Sequence, residues 1–210
     1  MHILINKKYL TFDNYKAKCA IGKRGIGNKK KEGDLITPKG IYKVKYVLYR
    51  KDRVKKIKTK LKKVIIRKNM GWCDDVRSRQ YNKIIKLPSN YSYEKLYKKE
   101  NIYDIILVLN FNMSPITKNK GSAIFVHIAK QNFKKTEGCI AVRTSSPYLL
   151  LVEQAEGRAE STEQLGSELS LEVEEATGGA LCLDCEGHLR ALDIEESGVD
   201  PNHFALHEIA

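Results

Sequence analysis

Two short apolar runs, Ile105–Leu109 (Ile-Ile-Leu-Val-Leu) and residues 123–128 (Ala-Ile-Phe-Val-His-Ile), constrain the fold of this chain most. Each is short for a helix and rich in β-branched residues. Neither shows the alternation that leaves one face in water, so both read as central strands covered on both sides. Further β-like segments surround them: residues 3–10, Gly40–Tyr49 and Val64-Ile65-Ile66. Lys39-Gly40 and Asn119-Lys120-Gly121 punctuate them as turns. Gly22, Gly25 and Gly27 also read as turns, because no Lys-Ser/Thr follows to complete a phosphate loop. Residues 93–99 predict a short helix. The pattern as a whole predicts a mainly β domain, a sandwich or barrel-like sheet.

Charge divides the 210 residues into two parts. Residues 1–145 hold 36 Lys+Arg against 10 Asp+Glu, a balance of +26, and residues 146–210 hold 2 against 15, a balance of −13. No lysine follows Lys135. A domain over residues 1–150 and an acidic extension over 151–210, helical or disordered, are therefore expected; residues 149–173 are the segment read as helix. The basic part includes the run Lys55-Lys56-Ile57-Lys58-Thr59-Lys60-Leu61-Lys62-Lys63. Lysines are nevertheless spread over the whole part, with no recognition-helix, zinc-finger or aromatic RNA-binding pattern, so specific nucleic-acid binding is not expected. A basic surface also suits an acidic polymer. No long apolar core lies within residues 1–15, so neither a secretory signal nor a membrane span is expected there.

The chemistry concentrates in residues 122–142. His127 ends one apolar run, and twelve residues later Cys139 follows Gly138 and opens another, Ile140-Ala141-Val142. Two adjacent strands would bring imidazole beside thiol, the arrangement of a nucleophilic acyl transfer in which histidine takes the thiol proton and the thiolate attacks a carbonyl. The backbone amides of Gly138 and Cys139 are the candidate oxyanion donors. A buried cysteine and a satisfied strand-end histidine are the structural alternative.

Gly121-Ser-Ala-Ile-Phe-Val-His127 with Thr136-Glu-Gly-Cys-Ile-Ala-Val142 resembles the active-site block of the L,D-transpeptidase (YkuD-like) catalytic domain. The blocks Cys19-Ala-Ile-Gly-Lys-Arg-Gly-Ile-Gly27, Glu32-Gly33-Asp34, Thr37-Pro38-Lys39-Gly40, Gly71-Trp72-Cys73-Asp74-Asp75 and residues 103–109 resemble further family segments in the same order. The resemblance covers about residues 5–150. It implies a β-sandwich of mixed sheets with short helices. The implied activity is a cysteine acyltransferase acting on peptidoglycan stem tetrapeptides, with a thioester at Cys139, release of the terminal D-alanine and transfer to an amine. An L,D-carboxypeptidase using water, or a non-catalytic basic binding module, is the alternative. By resemblance the protein works in the periplasm or cell wall. No cofactor and no metal are implied, and the oligomeric state stays open.

The chain departs from the commoner family pattern at two positions. Glu137 stands where a histidine usually precedes Gly-Cys, and Ala141 replaces an arginine two residues after the cysteine. Thr-Glu-Gly-Cys resembles a distinct branch. Glu137, Arg143 and Trp72 are the candidate substrate-binding residues. Glu137 is alternatively a loop carboxylate paired with Lys134 or Lys135. Five cysteines at irregular spacing give no disulfide framework; Cys19 and Cys73 read as core or site-lining residues. Cys182 and Cys185 with His203 and His207 form a weak zinc-like pattern, its middle spacer long.

Overall fold

In the computed structural model, the described residues are 2–143, 170–174, 179–183 and 189–193; side chains are described only for residues 3–143 and 170–174. Two compact units divide the chain, Met1–Glu175 and Ala176–Ala210. In the second, β15 (Gly179–Leu183) and β16 (Leu189–Asp193) form an antiparallel hairpin.

The first unit is built on one mixed sheet. Its strands are β1 (His2–Ile5), β2 (Tyr9–Phe12), β3 (Tyr15–Ala20), β6 (Gly40–Tyr49), β7 (Lys63–Ile65), β11 (Ile105–Leu109), β12 (Phe125–Ile128), β13 (Ile140–Val142) and β14 (Ser170–Val173). They lie in the order β11-β12-β13-β3-β2-β1-β14-β6-β7, and β6 also pairs with β11. The sheet thus closes on itself through the ten-residue β6, whose first half pairs with β14 and whose second half pairs with β11. Its halves face each other across one core, a β-sandwich. Ile3, Leu10, Cys19, Val47, Leu107, Val126, Ile140 and Leu171 all meet in that interior. The apolar positions of the lysine-rich run join it: Ile57 is buried there, and Val54 and Leu61 pack against it. Lysines of the run therefore project from a segment held down by its own hydrophobes.

The two runs that most constrain the fold behave as strands buried on both faces. Along β11, Ile105, Leu107 and Leu109 point inward, while Ile106 and Val108 join a second cluster outside the sheet. A small sheet of β8 (Met70–Cys73), β9 (Ile84–Lys86) and β10 (Tyr93–Lys95) shares in that outer cluster through Trp72 and the partly buried Met70 and Ile84. Leu96, Ile102 and Tyr103 complete the cover, the last two on a 3-10 turn at Asn101–Tyr103. The remaining pair, β4 (Ile26–Gly27) and β5 (Thr37–Pro38), is parallel.

Three local expectations change. Residues 3–10 are two strands of a hairpin, because the Asn6 side chain accepts from the amides of Lys8 (3.0 Å) and Tyr9 (2.8 Å) and turns the chain. The helix expected at 93–99 is strand β10, whose Tyr93, Glu94 and Lys95 pair with Cys73, Trp72 and Gly71. The helix expected through 149–173 is a strand at Ser170–Val173, where alternating Leu171 and Val173 fill the core between β1 and β6. Residues 149–169 of that segment lie outside the described residues.

Candidate active site

The register of β12 and β13 sets the site. The strands are parallel, with His127 opposite Ala141. Side chains alternate along a strand, so Phe125, His127, Cys139 and Ala141 share the outer face while Val126, Ile128, Ile140 and Val142 point into the sandwich. Cys139 stands one diagonal step from His127, roughly 7–8 Å between α-carbons by ordinary sheet spacing. The sequence-predicted pair is brought to one face of neighbouring strands.

His127 is buried, only 7% exposed. Its Nδ1 lies 2.8 Å from the Ile128 carbonyl. A carbonyl only accepts, so Nδ1 carries the proton and Nε2 is left basic. The ring packs edge-on against Tyr103, centroids 5.2 Å apart, and Tyr103 in turn packs edge-on to Phe125. Burial pulls the imidazole down to about 4; the Ile128 carbonyl opposes this, and Lys98 and Lys130 reinforce it. Near neutral pH His127 is therefore an uncharged base.

Cys139 is half-buried, and its thiol donates to the Ala123 carbonyl at 3.0 Å. Burial pushes the thiol up to about 12. The Phe125 amide opposes this, Glu94 adds to it, Lys29 opposes it and Glu137 adds to it. Cys19, in the sandwich core, is also pushed up to about 12 by burial, yet its sulfur meets only the Asn6 carbonyl at 3.7 Å. Acidity does not distinguish the two thiols. The neighbouring neutral imidazole does.

A hydroxyl lattice fixes the peptide before the sulfur. Gly138 has φ +142°, and a methyl there would meet the Ile36 carbonyl at 3.0 Å and Ile124 Cδ1 at 3.3 Å. Thr37 Oγ1, fully buried, donates to the Gly138 carbonyl (2.9 Å) and accepts from the Gly22 amide (2.8 Å). Thr136 Oγ1 donates to the Cys139 carbonyl and accepts from the Gly138 amide at 3.2 Å. That last bond is at the long end for N–H···O.

The other predicted residues lie further out. Glu137 is exposed and pairs with Lys23 at 3.3 Å, not with Lys134 or Lys135. Arg143 is exposed, one residue beyond β13 and four from Cys139, about 13 Å along extended chain. Trp72, expected to touch substrate, is only 1% exposed. Its indole N–H donates to Asn82 Oδ1 (2.9 Å) and its ring packs edge-on to Phe125 at 5.0 Å, so it braces β12 on the same outer face as the site, in the cluster that Cys139 packs against. Cys19 and Cys73 are buried and free.

Residues the sequence did not single out complete the surroundings. Glu94 pairs with Lys98, and after burial its charge is among the influences that raise the Tyr103 phenol. Of two clefts, of about 470 and 350 Å³, one lies beside Cys73 and Tyr91 and the other beside Lys29, Lys39 and Asn110, and neither is lined by Cys139 or His127. No cluster of metal-ligating side chains occurs among the described residues. The zinc-like set falls outside them, since the side chain of Cys182 and all of Cys185, His203 and His207 are not described.

Residues 2–151 match the family model of the L,D-transpeptidase catalytic domain (YkuD), and the chain belongs to that family. Its class is thus that of the L,D-transpeptidases, enzymes of peptidoglycan. No curated protein matches the chain. No helix among the described residues is long and apolar enough to cross a membrane.

Proposed function

We propose that this protein is a cysteine acyltransferase that forms a thioester at Cys139 with a peptidoglycan stem tetrapeptide, releases the terminal D-alanine and passes the acyl group to an amine. The observation that carries the reading is the shared face of His127 and Cys139, with His127 Nδ1–H held by the Ile128 carbonyl so that Nε2 is the basic nitrogen.

Both groups rest uncharged, so the favoured route is general-base activation and not a standing ion pair. The thiol leaves the Ala123 carbonyl, gives its proton to His127 Nε2 and attacks the carbonyl at the L centre of the third stem residue. Negative charge develops on that oxygen. The Cys139 amide, and the Gly138 amide once it leaves Thr136, are the donors proposed for it; one such donor is worth roughly 3 kcal/mol. The carbon–nitrogen bond to D-alanine then breaks as His127 returns the proton to the leaving amine. A second stem's amine attacks the thioester and gives a proton to His127 Nε2, the sulfur departs and takes that proton back as a thiol, and a new amide replaces the one broken. Glu137, exposed beside the nucleophile, is proposed to contact the substrate amine, with Arg143 supplying charge further along the strand. The site of action is proposed to be the periplasm or cell wall.

Intact-mass measurement after mixing with tetrapeptide tests this. The expected result is an adduct of the tetrapeptide minus D-alanine, mapped to Cys139, that resolves into cross-linked dimer when a second stem is added. Resolution to tripeptide alone would replace transfer by hydrolysis. An adduct on another residue would overturn the reading.

A further inference from the structure

Lys29 is an unusual residue in this fold: its side chain is 2% exposed, and it lies in the loop between β4 and β5. Its ammonium is 2.6 Å from Asp34 Oδ1 and 3.5 Å from the Ile36 carbonyl. Asp34 is itself held by the amides of Lys30 (2.8 Å), Ile36 (3.1 Å) and Lys31 (3.3 Å). The Lys29 stem is threaded past two glycines with positive φ. A methyl on Gly121 would sit 2.2 Å from Lys29 Cε, and a methyl on Gly138 would sit 3.6 Å from Lys29 Nζ. Gly138 precedes the nucleophile. A buried charge is costly unless something holds it, and this one is held beside the one peptide where the proposed reaction develops negative charge.

The geometry points to Lys29 as a positioning residue whose ammonium, tethered by Asp34 between Gly121 and Gly138, stabilises the anionic states of the Cys139 sulfur and of the adjacent tetrahedral oxygen. This deepens the proposed function and rests on it for the second of those roles. Asp34 is a durable anchor for that ammonium. Burial pushes its carboxyl up, but Lys29 and the three amides outweigh this and bring it to about 2, so it stays ionised. The other charged or titratable groups facing Cys139 are Glu94 on β10, Glu137 on its own loop, His127 on β12 and Tyr103 on the 3-10 turn. The two carboxylates work against the thiolate, and Lys29 is the cation that works for it among the described residues.

The test is the pH profile of Cys139 alkylation by iodoacetamide, mapped by peptide mass spectrometry, in wild type, Lys29→Met and the paired variant Lys29→Met/Asp34→Asn. The pair removes both charges, and the one amide oxygen that replaces the two carboxylate oxygens can still accept from Lys30 and Lys31, giving up the bond from the Ile36 amide. Loss of Lys29 is expected to move the profile to higher pH by about one unit in the single variant, a tenfold slower reaction at a given pH on its lower limb. A smaller shift of the same sign is expected in the pair. A folded variant whose profile overlays wild type would overturn the proposal. One measurement needs no variant at Lys29: its Cε resonance should follow the Cys139 titration in wild type and lose that response in Cys139→Ser. A resonance that never moves would overturn it too. Alkylation reads the thiol whether or not tetrapeptide is the substrate. A shifted profile without D-alanine release would therefore sink the proposed function and the oxyanion role with it, and leave the effect of Lys29 on the Cys139 thiolate standing.

Discussion

Replacing Thr37 by valine removes one hydroxyl from under the nucleophile and changes almost nothing else in shape. That hydroxyl accepts from the Gly22 amide at 2.8 Å and donates to the Gly138 carbonyl at 2.9 Å, and both bonds are buried. Valine can neither donate nor accept, so two buried backbone groups lose their partner together. Each orphaned group costs about 1–3 kcal/mol, which places the variant roughly 2–4 kcal/mol below wild type if part of the loss relaxes. For a unit of this size that is a fall in Tm of roughly 5–15 °C. Thr37→Ser keeps the hydroxyl and loses one methyl group, about 1 kcal/mol. Urea denaturation of the three proteins measures the difference. The same change frees the Gly138 carbonyl and lets the Cys139 peptide drift, so acylation by tetrapeptide should lose kcat with little change in KM. A Thr37→Val protein within about 0.5 kcal/mol of wild type, the range of an ordinary surface change, would refute the energetic argument. A destabilised protein with unchanged kcat would refute the link to the site.

Other expectations follow from the same geometry. Gly138→Ala places a side chain at φ +142° against the Ile36 carbonyl; strain of about 1–3 kcal/mol and a clear loss of acylation rate are expected, read by denaturation and adduct formation. His127→Ala should slow acylation about 100-fold or more, and a rate within a few-fold of wild type would remove it from the mechanism. Because the folded His127 is held at about 4 while an unfolded histidine titrates near 6.5, the unfolded chain binds the extra proton between those values. Stability should therefore be full above about pH 6.5 and fall as pH drops toward 4, by on the order of 3 kcal/mol, with that component absent in His127→Gln; urea melts across pH read it. Glu137→Gln removes an exposed pair with Lys23 and should change stability by less than about 0.5 kcal/mol. A rise in KM for tetrapeptide would then support its contact with substrate.

The strands, and the placement of His127 and Cys139 on one face, are legible in the sequence because both depend on local pattern. Ile105–Leu109 had to be covered on both faces, and it is. His127 lies one residue inside the end of β12 and Cys139 directly before β13, positions that the apolar runs and Gly138 mark. What pattern could not give was register across long separations. Nothing in Ser170-Leu-Glu-Val173, beyond a charge break that pointed away from the domain, announced a strand that pairs with both β1 and β6. Residues 93–99 misled because Tyr-Glu-Lys suits a helix by composition, while pairing with Gly71, Trp72 and Cys73 fixes Tyr93–Lys95 as strand. The motif around Trp72 suggests a binding residue, and its burial against Phe125 depends on how the small sheet docks. Thr37 lay within the Thr-Pro-Lys-Gly turn motif, but its hydroxyl reaches a carbonyl 101 positions away. Lys29 was one lysine among many until the fold buried it beside Gly138.

The most direct test of the central claim is D-alanine release from a tetrapeptide muropeptide by wild type and by Cys139→Ala, each confirmed folded. The account predicts release by wild type and none by the variant. Equal release by both proteins, or none from folded wild type, would contradict it.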